Sequence, residues 1–302
     1  MAKIIECVPN FSEGRRQDVI DEIISSITIV EGVRLLDHEA DPDHNRAVIT
    51  FIGEPDPVKH AAFNAVQKAS ELIDMEQHKG EHPRMGATDV VPFIPISGTT
   101  MEDCAKLAAE LGQEIGDKLK IPIFLYGEAA SSEYPERKNL AVVRKGQYEG
   151  LKEVIETDPS RKPDFGPAKM HPKAGATAVG ARMPLIAYNV NLNTTDLELA
   201  RSIAKSIREK DGGFPFVKAM GFDIQDKGIV QVSMNLTNYL ETPIYTVFNE
   251  IKRQCEEHNV EIIESELIGL SPMDALLDTS IQYLKLKTFK PDQVLENRLM
   301  ES

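Results

Sequence analysis

His82-Pro83-Arg84-Met85-Gly86-Ala87-Thr88 returns 89 residues later as His171-Pro172-Lys173-Ala174-Gly175-Ala176-Thr177, identical at five of seven positions. A match of that length arises by chance about once in a chain of this size, so the order of the segments after each copy carries the weight. Each copy leads into an apolar run with proline (Pro92-Phe93-Ile94 and Pro184-Leu185-Ile186) and then a Thr-Thr pair (Thr99-Thr100 and Thr194-Thr195). A helical stretch holding Ala105-Lys106 or Ala200-Arg201 comes next, then a strand opened by proline (Pro122-Ile123-Phe124 and Pro215-Phe216-Val217). The repeated order predicts two similar α/β modules facing one another.

The segments between these landmarks agree. From Pro57 to Lys79, Ala61, Ala62, Ala65, Ala69, Leu72 and Ile73 keep one helical face apolar, Asp56 can cap, and Gly80 ends the pattern. Further helices are predicted over 17–26, 101–118, 195–210, 243–258 and 272–285, alternating with apolar strand-like runs at 47–52, 121–126 and 185–190. Helix and strand alternate, so the class is α/β or interleaved α+β. Glu128 to Pro167, rich in Ser, Pro, Lys, Arg and Asp with one short helical stretch at Tyr148 to Glu156, reads as the connection between the halves.

A length of 302 residues suits one large domain or two ordinary ones, and 41% hydrophobic with 27% charged residues describes a globular chain. No apolar run approaches the roughly 20 residues that span a bilayer, and Met1 to Glu6 meets an acid before a signal-like stretch develops, so a soluble, cytoplasmic protein without membrane contact is expected. The net charge of −14 argues against a general nucleic-acid binder, which needs clustered cations; an anionic ligand would need a local basic pocket. Cys7, Cys104 and Cys255 are far apart and contain no C-x-x-C pair, which fits reduced thiols.

Among residues that carry chemistry, His82 stands on a turn bounded by Gly80, Pro83 and Gly86, where backbone restraint fixes the ring while leaving it able to reach a cleft. A single histidine more often bonds a neighbouring backbone group at the surface. Asp37-His38-Glu39-Ala40-Asp41-Pro42-Asp43-His44-Asn45-Arg46 gathers acids, imidazoles and a guanidinium on a loop before a strand. A polar substrate site and a solvated turn both fit it; a zinc site is poorly supported without H-E-x-x-H or regular ligand spacing. Lys169, Lys173 and Arg182 concentrate cations around the second heptad and could receive a carboxylate. Neither phosphate-binding glycine motif nor a G-x-S-x-G elbow is present. Asn10 and Ser12 could cap the next helix, and Gln231, Ser233 and Asn235 should share one face of a half-buried strand.

Glu6-Cys7-Val8-Pro9-Asn10-Phe11-Ser12-Glu13-Gly14, Gly80 to Ala87 and Val90-Val91-Pro92-Phe93-Ile94-Pro95 together resemble the glutamate formimidoyltransferase family. The likeness continues through Pro163-Asp164-Phe165-Gly166-Pro167, Gly175-Ala176-Thr177, Gly180-Ala181-Arg182, Leu185 to Asn189, the Gln231 strand and Leu267 to Pro272, covering almost the whole chain. The resemblance implies an α/β (α+β) fold of two similar subdomains, 1–180 and 181–302, each a mixed sheet with helices on one face, the sheets enclosing a substrate tunnel. It implies a homodimer that moves a formimidoyl group from N-formimidoyl-L-glutamate to tetrahydrofolate in histidine breakdown. Folate is the co-substrate, and no metal is expected.

The family's catalytic histidine falls on His82, and its acidic partner on Glu39, where the family carries Asp; Asp37 is the alternative. Arg46, Arg84 and Arg182 are candidates for substrate carboxylates, and Asn10, Asn45 and Asn189 for polar contacts. The folate-binding loop matches Pro163, Asp164, Phe165, Gly166, Pro167, Ala168, Lys169, Met170, His171 and Pro172. The cyclodeaminase fused to this unit in eukaryotes is expected to be absent. Formyl transfer, 5-formyltetrahydrofolate metabolism and non-catalytic folate binding remain the alternative readings, because one-carbon groups of nearly equal size are hard to separate by pocket shape.

Overall fold

The structure, a computed structural model, describes residues 3–301. Met1, Ala2 and Ser302, at the outer ends of the two expected subdomains, lie outside the described residues. The chain divides into two compact units, one reaching Arg182 and the other running from Met183 onward.

The first unit begins with β1 (Ile4–Cys7), β2 (Asn10–Phe11), α1 (Gln17–Thr28), β3 (Val33–Asp41), β4 (Arg46–Gly53), α2 (Pro55–Leu72) and β5 (Thr88–Ser97). β1 lies antiparallel between β4 and β5, β2 takes up the same place after a break at Val8 and Pro9, and β3 pairs with β4. The spatial order β5-β1-β4-β3, with its two helices, is the βαββαβ arrangement called ferredoxin-like. The unit then adds α3 (Met101–Leu119), β6 (Ile123–Gly127), α4 (Leu140–Val143), α5 (Gln147–Val154) and β7 (Thr177–Ala181). β7 runs parallel to both β5 and β6, so this sheet is mixed.

The second unit contains β8 (Ile186–Leu192), α6 (Leu197–Ile207), β9 (Val217–Ile224), β10 (Ile229–Leu236), α7 (Ile244–Glu257) and β11 (Ile262–Ile268), followed by α8 (Met273–Leu284) and α9 (Leu295–Glu301). Its order, β11-β8-β10-β9, reproduces the βαββαβ arrangement, and all its pairings are antiparallel. Gln231 and Ser233 are half-buried and Asn235 exposed, while Val230, Val232, Met234 and Leu236 face the core, as the alternation predicts.

Two similar modules are therefore present, but the heptads do not head them. Both copies lie in the first unit and pack against each other: Gly86 bridges Gly175, the Ala87 amide donates to Ala174 O at 2.8 Å, and the Thr177 hydroxyl to Thr88 O at 2.7 Å. A Cβ on Gly86 would stand 2.2 Å from Ala176 O, so glycine is needed where the two backbones cross. The fold repeat runs instead from β1–β5 to β8–β11, a correspondence of topology that leaves little trace in residue identities. Glu128 to Pro167 likewise does not connect the halves, because Val143, Tyr148, Leu151 and Ile155 are buried in the first unit's core.

Helix faces follow the apolar periodicity. Val19, Ile20, Ile23 and Ile27 of α1 and Val58, Ala61, Ala62, Ala65, Val66 and Ala69 of α2 are buried, each large aliphatic contributing about 1.5–3 kcal/mol. α2 starts on Pro55 and stops at Leu72, short of the expected Lys79, because Ile73 turns extended and the Met75 amide donates to Lys173 O at 2.9 Å. That departure ties the segment before His82 to the second heptad. The acidic stretch is also tighter than expected: β3 runs on to Asp41, leaving residues 42–45 as a hairpin tip rather than a long loop. Among the described residues no helix is long and apolar enough to cross a membrane.

Candidate active site

The turn carrying His82 rests against the β3–β4 hairpin tip. A Cβ on Gly80 would lie 2.3 Å from His44 O, so the two backbones touch. His82 is half-buried, and its ring meets that of His44 edge-on, with centroids 6.3 Å apart and planes at 66°. His44 Nδ1 lies 2.7 Å from the Asp41 carboxylate. His82, His44, Arg46, Asp89, Ser12 and Phe11 line a cavity of about 10 Å³, completed by Asn45, His78 and Arg84. The space suits one water-sized group and not a two-ring pterin.

The surrounding side chains are fixed by hydrogen bonds. Asn45, in the left-handed conformation at φ 48°, accepts the Gly14 amide on Oδ1 at 2.9 Å and donates Nδ2 to Lys79 O at 3.0 Å. Arg84 donates to both Glu149 oxygens at 2.8 and 2.6 Å and to His78 Nδ1 at 3.3 Å, leaving His78 Nε2 to donate to Asn45 O at 3.0 Å. The Ser12 hydroxyl donates to Gly86 O at 2.8 Å, and Glu13 receives the Arg15 and Arg16 amides in the turn ahead of α1, whose N-terminus has no side-chain cap, so neither Asn10 nor Ser12 performs the capping expected of it. Asp89, 2% exposed, accepts the Met85 amide on one oxygen and the Arg144 guanidinium on the other.

This setting keeps His82 neutral. Burial, then the positive charges of Arg46, Arg144 and His44, lower its pKa to about 3, against a small opposing contribution from a backbone hydrogen bond at Pro83. Arg46 is itself pushed down to about 10 by burial and by Arg144, and its Nε is buried without a hydrogen-bond partner. Arg144 Nε is likewise buried without a partner, so the neutral imidazole stands beside two cations with unsatisfied donors, a setting that can hold an anionic group next to a proton-accepting ring nitrogen.

Comparison with known proteins gives this arrangement a context. The formiminotransferase domain, N-terminal subdomain, matches residues 4–182, and the formiminotransferase domain matches residues 187–298. The chain belongs to the formiminotransferase family. It is 48% identical to the glutamate formimidoyltransferase of Streptococcus pyogenes serotype M1, covering 99% of this chain and 100% of that one. It is also 48% identical to the glutamate formimidoyltransferase of Thermoplasma acidophilum, over 98% and 97% of the two chains. A formimidoyltransferase-cyclodeaminase of Dictyostelium discoideum is 45% identical, and the match spans 99% of this chain but 56% of that longer protein.

Against this family background, the structure brings His82, Arg46, Arg84 and Asn45 to one cavity. Arg84 and Asn45 have their polar atoms committed to neighbouring groups, which makes them supports of the pocket. Glu39 and Asp37 do not line it. Register places Asp41, Glu39 and Asp37 opposite Arg46, Val48 and Thr50, so the three acids share the sheet face of Arg46 in successive rows. Asp37 accepts the His38 amide at 2.9 Å, and Glu39 is exposed. Asn10 donates to Val8 O at 2.9 Å. Arg182, just after β7, hydrogen-bonds Tyr126 and lies near Glu6, whose pKa burial raises despite that cation. Asn189 belongs to the second unit, paired on β8 with Ser233 and Glu266.

Within the 163–172 segment, Asp164 is occupied by Arg137 at 2.7 Å and the Leu125 amide at 2.8 Å, and Phe165 and Gly166 lie against Gly112 and Gly116 of α3. Pro167, Ala168, Lys169 and His171 are more open, while Met170 is buried. Sequence reasoning missed Asp89, Arg144 and His78. Asp89 follows the first heptad directly, a position where a buried acid would have been a signal; Arg144 sits in a stretch read as a connection. Among the described residues no group of His, Cys, Asp and Glu could hold a metal ion.

Proposed function

We propose that this chain transfers the formimidoyl group of N-formimidoyl-L-glutamate to N5 of tetrahydrofolate, releasing L-glutamate, with His82 as the proton carrier. The observation that carries the catalytic assignment is the neutral, half-buried His82 ring in a polar cavity beside Arg46, whose Nε lacks a partner. Family membership over both units supplies the reaction class.

In the proposed reaction N5 attacks the amidinium carbon, forming a tetrahedral carbon bonded to both amines. His82 takes the N5 proton and delivers it to the glutamate nitrogen as the bond from that nitrogen to carbon breaks. The cavity is too small for the pterin, which approaches with the transferred group from the open side of His82. Pro167 to Pro172 serves as its contact, held from behind by Asp164, Phe165 and Gly166. Glu39 or Asp37, on the sheet face of Arg46, pairs with the cationic formimidoyl nitrogen. We further propose a cytoplasmic homodimer, for which sedimentation of the purified chain is the direct test.

The deciding assay incubates the chain with tetrahydrofolate and either N-formimidoyl- or N-formyl-L-glutamate. Turnover of the first supports the proposal; turnover of the second alone replaces it with formyl transfer. Tight folate binding without turnover of either indicates a binding protein. Replacing His82 with Ala should cut turnover by about 100-fold or more while folate binding persists.

A further inference from the structure

Arg46 and Arg144 come from different parts of the fold, one opening β4 and the other just after α4, yet they approach closely enough for each to repel the other and His82. Each guanidinium has a buried Nε without a hydrogen-bond partner. Among the described residues that line this cavity the one buried acid is Asp89, and its oxygens are taken by the Met85 amide and by Arg144. Asp41, opposite Arg46 across the hairpin, offsets part of its charge from the exposed side and is also bonded to His44, but no carboxylate reaches either buried Nε. A buried donor without an acceptor is costly, so the two guanidinium groups are complete only with an acceptor seated against them, for which a carboxylate is the strongest choice beside two cations.

We infer that Arg46 and Arg144 form the receptor for a carboxylate of the glutamate donor, and that the carboxylate seated there converts His82 into an effective proton acceptor. This inference rests on the transferase reading and adds to it a residue, Arg144, and a means of control. The groups facing His82 are His44 and Arg46 from the hairpin, Asp89 at the start of β5, and Arg144; His78 and Arg84 lie behind, with Arg84 neutralised by Glu149. Of the nearby charges that oppose protonation, His44 already has Asp41, so the two arginines are what an incoming anion would offset. An opposite charge within about 4–6 Å moves a titrating group by about 1–3 pH units. Without donor, His82 is a poor base and leaves the folate untouched; with donor in place, it can take the N5 proton. The donor would therefore bind before N5 is activated.

The test follows the His82 ring resonances by NMR in the whole chain, alone and with saturating N-acetyl-L-glutamate, which keeps both carboxylates but has no formimidoyl group. The neutral diamide of the same compound is the control. The expected result is an upward shift of the His82 midpoint by at least about one pH unit with the diacid and none with the diamide. Arg46→Gln should raise the midpoint of the unliganded chain and abolish the response. Arg144→Lys, which keeps the charge facing Asp89, should retain part of it. If calorimetry shows the diacid bound while the His82 midpoint stays put, the control mechanism is overturned. Failure of the diacid to bind the wild-type chain overturns the receptor as well. Formimidoyl transfer measured on the same preparation reports separately on the transferase reading, which survives either result.

Discussion

Arg137 and Asp164 form an ion pair at 2.7 Å with side chains only 3% and 7% exposed, and the same guanidinium donates to Lys162 O at 2.6 Å and stacks on Tyr134. One side chain therefore closes the segment that leads into the proposed folate contact. Removing a single partner of a buried pair leaves the other charge uncompensated, at a cost of about 3–5 kcal/mol. Arg137→Ala should lower stability by that amount in urea unfolding, and should raise KM for tetrahydrofolate more than KM for the donor. Equal changes in both constants would mean that the pair supports the fold alone.

Gly116 and Gly150 give a contrast within the same unit. A Cβ at Gly116 would stand 2.6 Å from the Gly166 amide nitrogen, a clash between two backbones, whereas one at Gly150 meets nothing within 4 Å. Gly116→Ala should displace residues 165–167 and weaken folate binding. Gly150→Ala, in the middle of α5, should stabilise the chain by about 0.5–1 kcal/mol through lower unfolded-state entropy and better helix propensity. Thermal melts with folate titration measure both, and a destabilised Gly150→Ala would contradict the packing described for α5.

Asp89 balances Arg144 beside His82, so its charge should matter more than its shape. Asp89→Asn preserves an oxygen for the Met85 amide but leaves Arg144 without its carboxylate, making the His82 surroundings more positive. Imidazole basicity should fall further, and with it kcat, by about tenfold or more. Steady-state kinetics at neutral pH test this. An unchanged kcat in a folded variant would remove Asp89 from the proton-transfer machinery.

The elements legible in the sequence were those with local causes. The α3 helix was readable from Met101 because Thr100 and Asp103 form a capping box, and α7 from its apolar spacing. The end of α2 was not, because Ile73 and Met75 keep the apolar pattern while a long-range bond from Met75 to Lys173 O pulls the backbone out of the helix. The same limit applied to the candidate site. His82 announced itself through its glycines and proline, and Arg46 through its polar neighbours. Asp89 and Arg144 meet only when the segment after β6 folds back on β5, 55 residues apart in the chain, and no local pattern encodes that meeting. The heptads misled for a related reason: their shared glycines answer to contact with each other, not to a common place in two modules.

The lowered pKa of His82 also makes a prediction about stability. In the unfolded chain the imidazole titrates near 6.5; in the native state burial, Arg46 and Arg144 hold it near 3. Between those values the unfolded state carries the extra proton, so this residue makes the native state progressively less stable as pH falls from about 6.5 to about 3, and has no such effect above that window. His82→Gln removes the contribution. Chemical denaturation from pH 7.5 to 4.5 should therefore show wild type losing stability more steeply than the variant, the difference approaching the effect of one proton. N-acetyl-L-glutamate should shrink that difference by placing a negative charge against the two arginines, whereas the diamide should not. Parallel stability curves for wild type and variant would mean that His82 titrates normally in the folded chain, and the argument for a histidine held neutral by its arginines would fail.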